Sequence, residues 1–220
     1  MAIALIFLAG IMATLLGWLL KQSFNTQPWV AEVVDDTAHQ APLGANSKII
    51  ALLTFLAVVT SLFALLVSAY SMRMELGDWY PLHEPSLLWI NTGTLVLASI
   101  AFQLTRNAAA AGQTSRLRPG LLITGVLTIA FLAGQLIAWQ QLNAAGQYVT
   151  SNPANAFFYL LTGVHALHIL GGLYVWARAM VRVMSGADAA DVKQSIELCT
   201  VYWHFLLLVW LGLFGLLLST

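Results

Sequence analysis

The sequence predicts an all-α membrane protein: a six-helix transmembrane bundle with both termini outside the cytoplasm. Three observations carry that prediction. Of 220 residues, 60% are hydrophobic and 8% charged, with a mean hydropathy of +0.81. That is more apolar surface than a soluble domain of this size can hide. Six stretches lack Asp, Glu, Lys and Arg: Ala2–Leu20, Ile49–Met72, Pro85–Thr105, Pro119–Asn143, Asn155–Ala177 and Leu198–Thr220. Each is long enough for a helix crossing a hydrocarbon core of ~30 Å at ~1.5 Å per residue. Finally, Lys21, Lys48, Arg106, Arg116, Arg118, Arg178, Arg182 and Lys193 fall on one set of loops and only Arg73 on the other. Basic residues mark cytoplasmic loops, which places the first, third and fifth loops inside.

In chain order, residues 1–20 form an N-terminal transmembrane helix. The stretch lacks a basic leading segment and a small-x-small cleavage site before Lys21, so it reads as a retained helix rather than a signal peptide. Residues 21–48 are a cytoplasmic loop containing QPWVAEVVDDTAH. Pro28 suits a first helical turn, and Trp29, Val30, Val33 and Val34 recur at helical spacing. A short helix on the membrane surface and an irregular loop both fit that pattern. Residues 49–220 form a five-helix bundle. Pro85, Pro119-Gly120 and Asn152-Pro153 mark boundaries. In the outer loop RMELGDWYPLHEP, Trp79 and Tyr80 suit an interfacial aromatic belt. RNAAAAGQTSRLR and SGADAADVKQ read as solvated connections.

Nine basic and nine acidic residues cancel, which gives no reason to expect nucleic acid as a partner. One cysteine, Cys199, cannot form an internal disulfide. The sequence contains no nucleophile–base–acid set, no glycine-rich phosphate loop and no paired acids within a span.

The informative residues are the polar ones inside spans, because ionisable groups are costly in lipid. His165 and His168 lie ~15–20 Å along the fifth span and share a face. His204 lies within the sixth, in ELCTVYWHFLLLVW. Imidazoles ligate metals and haem. These, however, lack a supporting acid or thiol at that depth, and lack paired histidines at two depths. Hydrogen bonds between helices, or to a lipid headgroup, account for them without a cofactor. Glu197 stands four residues beyond Lys193, where the two can pair and the acid complements the helix dipole. Gly163, Gly171 and Gly172 read as close helix packing, and Gln135 as an interhelical hydrogen bonder.

Four segments occur in an order that resembles one family. FFYLLTGVHALHILGG, ELCTVYWHFLLLVW, LWINTGTLVLAS and, more weakly, FLAGQLIAW resemble helices of subunit III of the haem–copper respiratory oxidases. The resemblance covers about Ile49 to Thr220. It implies a non-catalytic subunit that packs on subunit I, retains lipid and supports proton uptake and stability during turnover. Expected partners are the catalytic subunit I, subunit II, a small subunit IV and membrane phospholipid, in a bacterial inner membrane. Haem and copper are expected in the partner subunits and none on this chain, with phospholipid bound.

The sequence departs from the fuller family in having one helix, not two, before the shared five. Val58 and Leu207 stand where many members carry acids. Glu197, Tyr202, Trp203 and His204, with His165 and His168, are expected to form a polar seam or lipid site between the last two helices. Glu32, Asp35, Asp36 and His39 form a candidate proton-collecting loop. Two other readings fit the residues: an accessory subunit of a nitric oxide reductase, and a haem b membrane cytochrome using His165 or His168 with His204. A transporter would favour broken helices, for which the sequence gives no sign.

Overall fold

A computed structural model describes residues 47–81 and 85–219. Five helices fill that range: α1 (Ser47–Met74), α2 (Leu87–Ala110), α3 (Thr114–Ala144), α4 (Pro153–Met184) and α5 (Ala189–Leu218). All five are long and apolar enough to cross a membrane, and no strand occurs among the described residues. Inside lipid a helix satisfies its own backbone donors and acceptors, which loops and open strands cannot do. The predicted first span and most of the loop after it, including Trp29, Glu32, Asp35, Asp36 and His39, lie outside the described residues.

Local chemistry sets the helix ends. Pro153 opens α4, and the Asn152 side chain caps it by accepting from the Ala154 amide at 3.2 Å. Gly112, Gly146 and Gly186 follow α2, α3 and α4 with φ of 69°, 77° and 83°. That left-handed conformation favours glycine. After each one, the next residue's amide reaches back to a carbonyl in the last turn: Gln113 to Ala108, Gln147 to Leu142 and Ala187 to Arg182. Each pattern is a Schellman stop.

Two expectations need correction. α3 starts at Thr114 and runs through Arg116, Arg118 and Pro119, while α5 starts nine residues before Leu198. Pro119 lies in the second turn of α3, near enough to the end for the lost backbone bond to be tolerated. The connections read as solvated are therefore largely helical. Ala108, Ala109, Leu117, Ala189, Val192 and Ile196 form a small apolar cluster there. Long charged side chains reach water from such turns while their neighbours stay buried.

α2 packs along α3 and α5, and α4 packs along the same two helices, closing a four-helix ring. Phe102, Phe131, Phe158, Leu161, Trp203, Leu206 and Trp210 fill its interior. α1 lies against α4 and α5. Only 11% of its membrane-length window is buried, against 33–44% for the other four helices.

The outer loop splits the predicted aromatic belt. Tyr80 is exposed, whereas Trp79 turns back edge-on to Tyr70 at 4.9 Å and tilted against Phe157 at 6.3 Å. Arg73 grips Asp78 with its two terminal guanidinium nitrogens, at 2.6 and 2.5 Å. Those donors hold the Asp78 carboxyl below the usual carboxylate range. The Asn152 amide also donates to the Tyr80 carbonyl, which ties this loop to the start of α4.

Candidate functional site

The polar chemistry of the bundle interior is carried by tryptophan and threonine. Trp139 donates to Thr162 at 3.1 Å, Trp203 to Thr128 at 3.2 Å and Trp210 to Thr92 at 2.9 Å. In each pair the threonine hydroxyl gives its own proton to the carbonyl four residues back. Those bonds run Thr162 to Phe158 at 2.6 Å, Thr128 to Thr124 at 2.8 Å and Thr92 to Leu88 at 2.8 Å. The hydroxyl oxygen is then oriented as an acceptor for an indole, which can only donate. The three pairs join α3 to α4, α5 to α3 and α5 to α2. Trp176 adds a bond from α4 to the Leu121 carbonyl of α3 at 3.0 Å. Bonds of this kind in membrane bundles contribute ~0.6 kcal/mol on average, up to ~1.7.

Glycines let these large rings approach. A Cβ at Gly172 would meet Tyr202 at 2.8 Å and Trp203 at 3.0 Å. One at Gly125 would collide with Trp176, one at Gly134 with Asn91, and one at Gly120 with Thr105. The expectation of close packing thus holds at Gly172. Gly171 is open and Gly163 makes ordinary contact with Trp139.

The ionisable residues are arranged differently from the predicted seam. Nδ1 of His168 lies 2.8 Å from the Val164 carbonyl, and Nδ1 of His204 lies 2.7 Å from the Thr200 carbonyl. Both bonds stay within one helix, so among the described residues neither imidazole is bonded to another helix. The link between α4 and α5 runs instead from the Tyr202 hydroxyl to the backbone carbonyl of His168 at 2.9 Å. Phe63 and Phe55 of α1 pack on the His168 ring at 5.5 and 6.3 Å.

His204 opens elsewhere, onto a groove of about 360 Å³ lined by Gln103, Arg106, Thr200, Val201, Phe205 and Leu208. Glu197 is half-buried. The pairing expected with Lys193 is not formed, and the ion pair found among the described residues is Arg73–Asp78. Trp203 does belong to the helix contacts, through Thr128 rather than a neighbouring imidazole.

His165 is fully buried between Trp210 at 5.3 Å, Phe131 at 6.0 Å and Phe63 at 6.3 Å. Neither of its nitrogens has a protein partner among the described residues. The same holds for both amide atoms of Gln135 and for Nδ2 of Asn91. Gln135 is therefore not the direct interhelical bonder expected from the sequence. Leaving such a group unmet costs ~1–3 kcal/mol.

A second groove, about 300 Å³, lies between α1 and the α4–α5 pair. It is lined by Leu52, Phe55, Gly171, Val175, Cys199 and Tyr202 among others. Among the described residues, no three His, Cys, Asp or Glu side chains are grouped to hold a metal ion.

Sequence reasoning missed the threonines and Asn91. A usable signal was present: Trp203 and Trp210 stand inside a span instead of at its ends, and a buried indole needs an acceptor.

Comparison with known proteins matches the sequence to one family. The family model described as cytochrome c oxidase subunit III matches residues 23–218. A probable cytochrome c oxidase subunit 3 of Mycobacterium tuberculosis is 35% identical over 142 residues, covering 63% of this chain and 70% of that protein. Its counterpart in Nocardia farcinica is 31% identical over 144 residues, with the same coverage. The cytochrome c oxidase subunit 3 of Synechocystis sp. is 30% identical over 166 residues, covering 73% of this chain and 70% of that protein. A multi-pass helical chain with this match is an accessory subunit of a respiratory oxidase complex, and it belongs to the cytochrome c oxidase subunit III family.

Proposed function

We propose that this chain is the non-catalytic third subunit of a proton-pumping haem–copper terminal oxidase. In this reading it packs on the catalytic subunit, retains phospholipid and supports proton uptake and stability through turnover. Haem and copper reside in the partner subunits. The chain sits in a bacterial cytoplasmic membrane with both termini outward, as the distribution of its basic residues and the bacterial relatives favour. The single observation that best supports a scaffold role is where the interior polar groups are used. Indoles, hydroxyls and backbone carbonyls join helix to helix there.

The groove beneath His204 supports lipid retention. Arg106 and Gln103 line it beside Val201, Phe205 and Leu208. An anionic headgroup beside Arg106, with an acyl chain along the apolar residues, fits that distribution of chemistry. The acidic loop of Glu32, Asp35, Asp36 and His39 would gather protons near the uptake entrance of the catalytic subunit.

Purification in mild detergent tests the reading. A haem–copper catalytic subunit is expected to accompany the chain, and the isolated chain is expected to show no Soret band. A Soret band from the chain alone, or a nitric oxide reductase as its companion, would overturn it. Native mass spectrometry of the complex tests the lipid. Arg106→Gln with His204→Phe should remove a phospholipid adduct, and an unchanged adduct would contradict this placement.

A further inference from the structure

Of the buried polar side chains without a partner among the described residues, Asn91, Gln135 and His165 come from three helices and lie at one level of the bundle. The Trp139–Thr162 bond and the Phe131–His165 contact fix the antiparallel register of α3 against α4. Gln135 is one turn from both Phe131 and Trp139, so it faces the level of Thr162 and His165. Asn91 lies directly against Gly134, the residue before Gln135. Trp210 completes the layer: it contacts Phe131 at 5.0 Å and His165 at 5.3 Å, and it donates to Thr92, the residue after Asn91.

Five atoms in this layer need partners: Asn91 Nδ2, Gln135 Nε2 and Oε1, and both nitrogens of His165. Exposures of 2%, 2% and 0% for Asn91, Gln135 and His165 mean that no neighbouring subunit or lipid headgroup reaches them. Whatever satisfies them is enclosed, small, and able both to donate and to accept.

We propose that Asn91, Gln135 and His165 form an internal water site inside the four-helix ring. A water makes about three hydrogen bonds, rarely more than four. Five unmet atoms therefore call for two waters, or one water and a direct Gln135–His165 bond. Amide N–H groups and one imidazole N–H donate to the water. The Gln135 carbonyl and the unprotonated imidazole nitrogen accept from it. The site is independent of how the subunit docks on its partners.

Two measurements on the intact oxidase test it. A map fine enough to show ordered water should place one or two peaks within hydrogen-bond distance of at least three of the five atoms. Gln135→Leu should remove a peak. Absence of any peak, with the three side chains bonded directly to one another or left unpaired, would overturn the site, as would a peak unchanged in Gln135→Leu. If that variant does not assemble, hydroxyl-radical footprinting of the wild-type complex gives an independent reading, because radicals form at bound waters. Phe131 should then be oxidised faster than the equally buried Phe158, and equal rates would contradict the proposal.

Discussion

α1 is the most apolar of the five helices, and it is held differently from the other four. The ring of α2 to α5 is fastened by directional bonds between large rings and hydroxyls or carbonyls, with glycines admitting the rings. α1 meets the ring through aliphatic residues such as Val59 and Leu56 and through aromatic contacts, Phe55 and Phe63 on the His168 ring of α4 and Tyr70 on Phe157. The lesson concerns solvent. In lipid an apolar helix face gains little by leaving its surroundings, so apolar surface alone does not select a neighbour. Close packing and hydrogen bonds do, and α2–α5 carry most of those described.

The contrast can be broken by truncation. Leu206 is fully buried and Leu65 on α1 is 68% exposed. Leu206→Ala should cost about 2–5 kcal/mol, while Leu65→Ala should change stability by about 0.5 kcal/mol or less. Comparable losses in detergent-solubilised oxidase would remove the distinction. Next in size, Gly134→Ala forces a methyl group into Asn91 and should cost about 1–3 kcal/mol. Gly171→Ala, which meets open space, serves as its control, and equal melting temperatures for the two would contradict the close approach.

Smallest is the outer loop. The folded carboxyl of Asp78 is held below its unfolded range by Arg73. Its contribution is present above the unfolded value and is lost as pH falls through the folded one. Asp78→Asn should therefore lower stability slightly at neutral pH and converge with wild type on acidification. A difference that widens in acid would reverse the assignment. The pair is exposed, so the effect stays small.

The five described helices were legible in the sequence, because the length of an uncharged apolar run and the Asn152-Pro153 signal depend on local chemistry alone. Helix starts were misread where charge was taken as the boundary. α5 carries Lys193 and Glu197 within its first turns, since charged side chains at a membrane edge reach water without ending a helix. The site was less legible. Histidine and glutamate stand out in an apolar string, yet His168 and His204 spend a ring nitrogen on their own helix. Thr92, Thr128 and Thr162 look unremarkable by type. Their role depends on which indole faces them, and that is fixed only by packing between distant segments.

The most direct test is a double-mutant cycle on Trp203→Phe and Thr128→Val, read as thermal stability of the solubilised complex. Thr128→Val keeps shape and removes the acceptor. Trp203→Phe removes the donor together with part of a buried ring, a packing loss that the cycle cancels because it occurs with either residue at position 128. A coupling of about 0.6–1.7 kcal/mol is expected, with His204→Phe nearly additive to both. A coupling near zero for Trp203 and Thr128, with His204 strongly coupled instead, would return the helix-fastening role to the imidazoles.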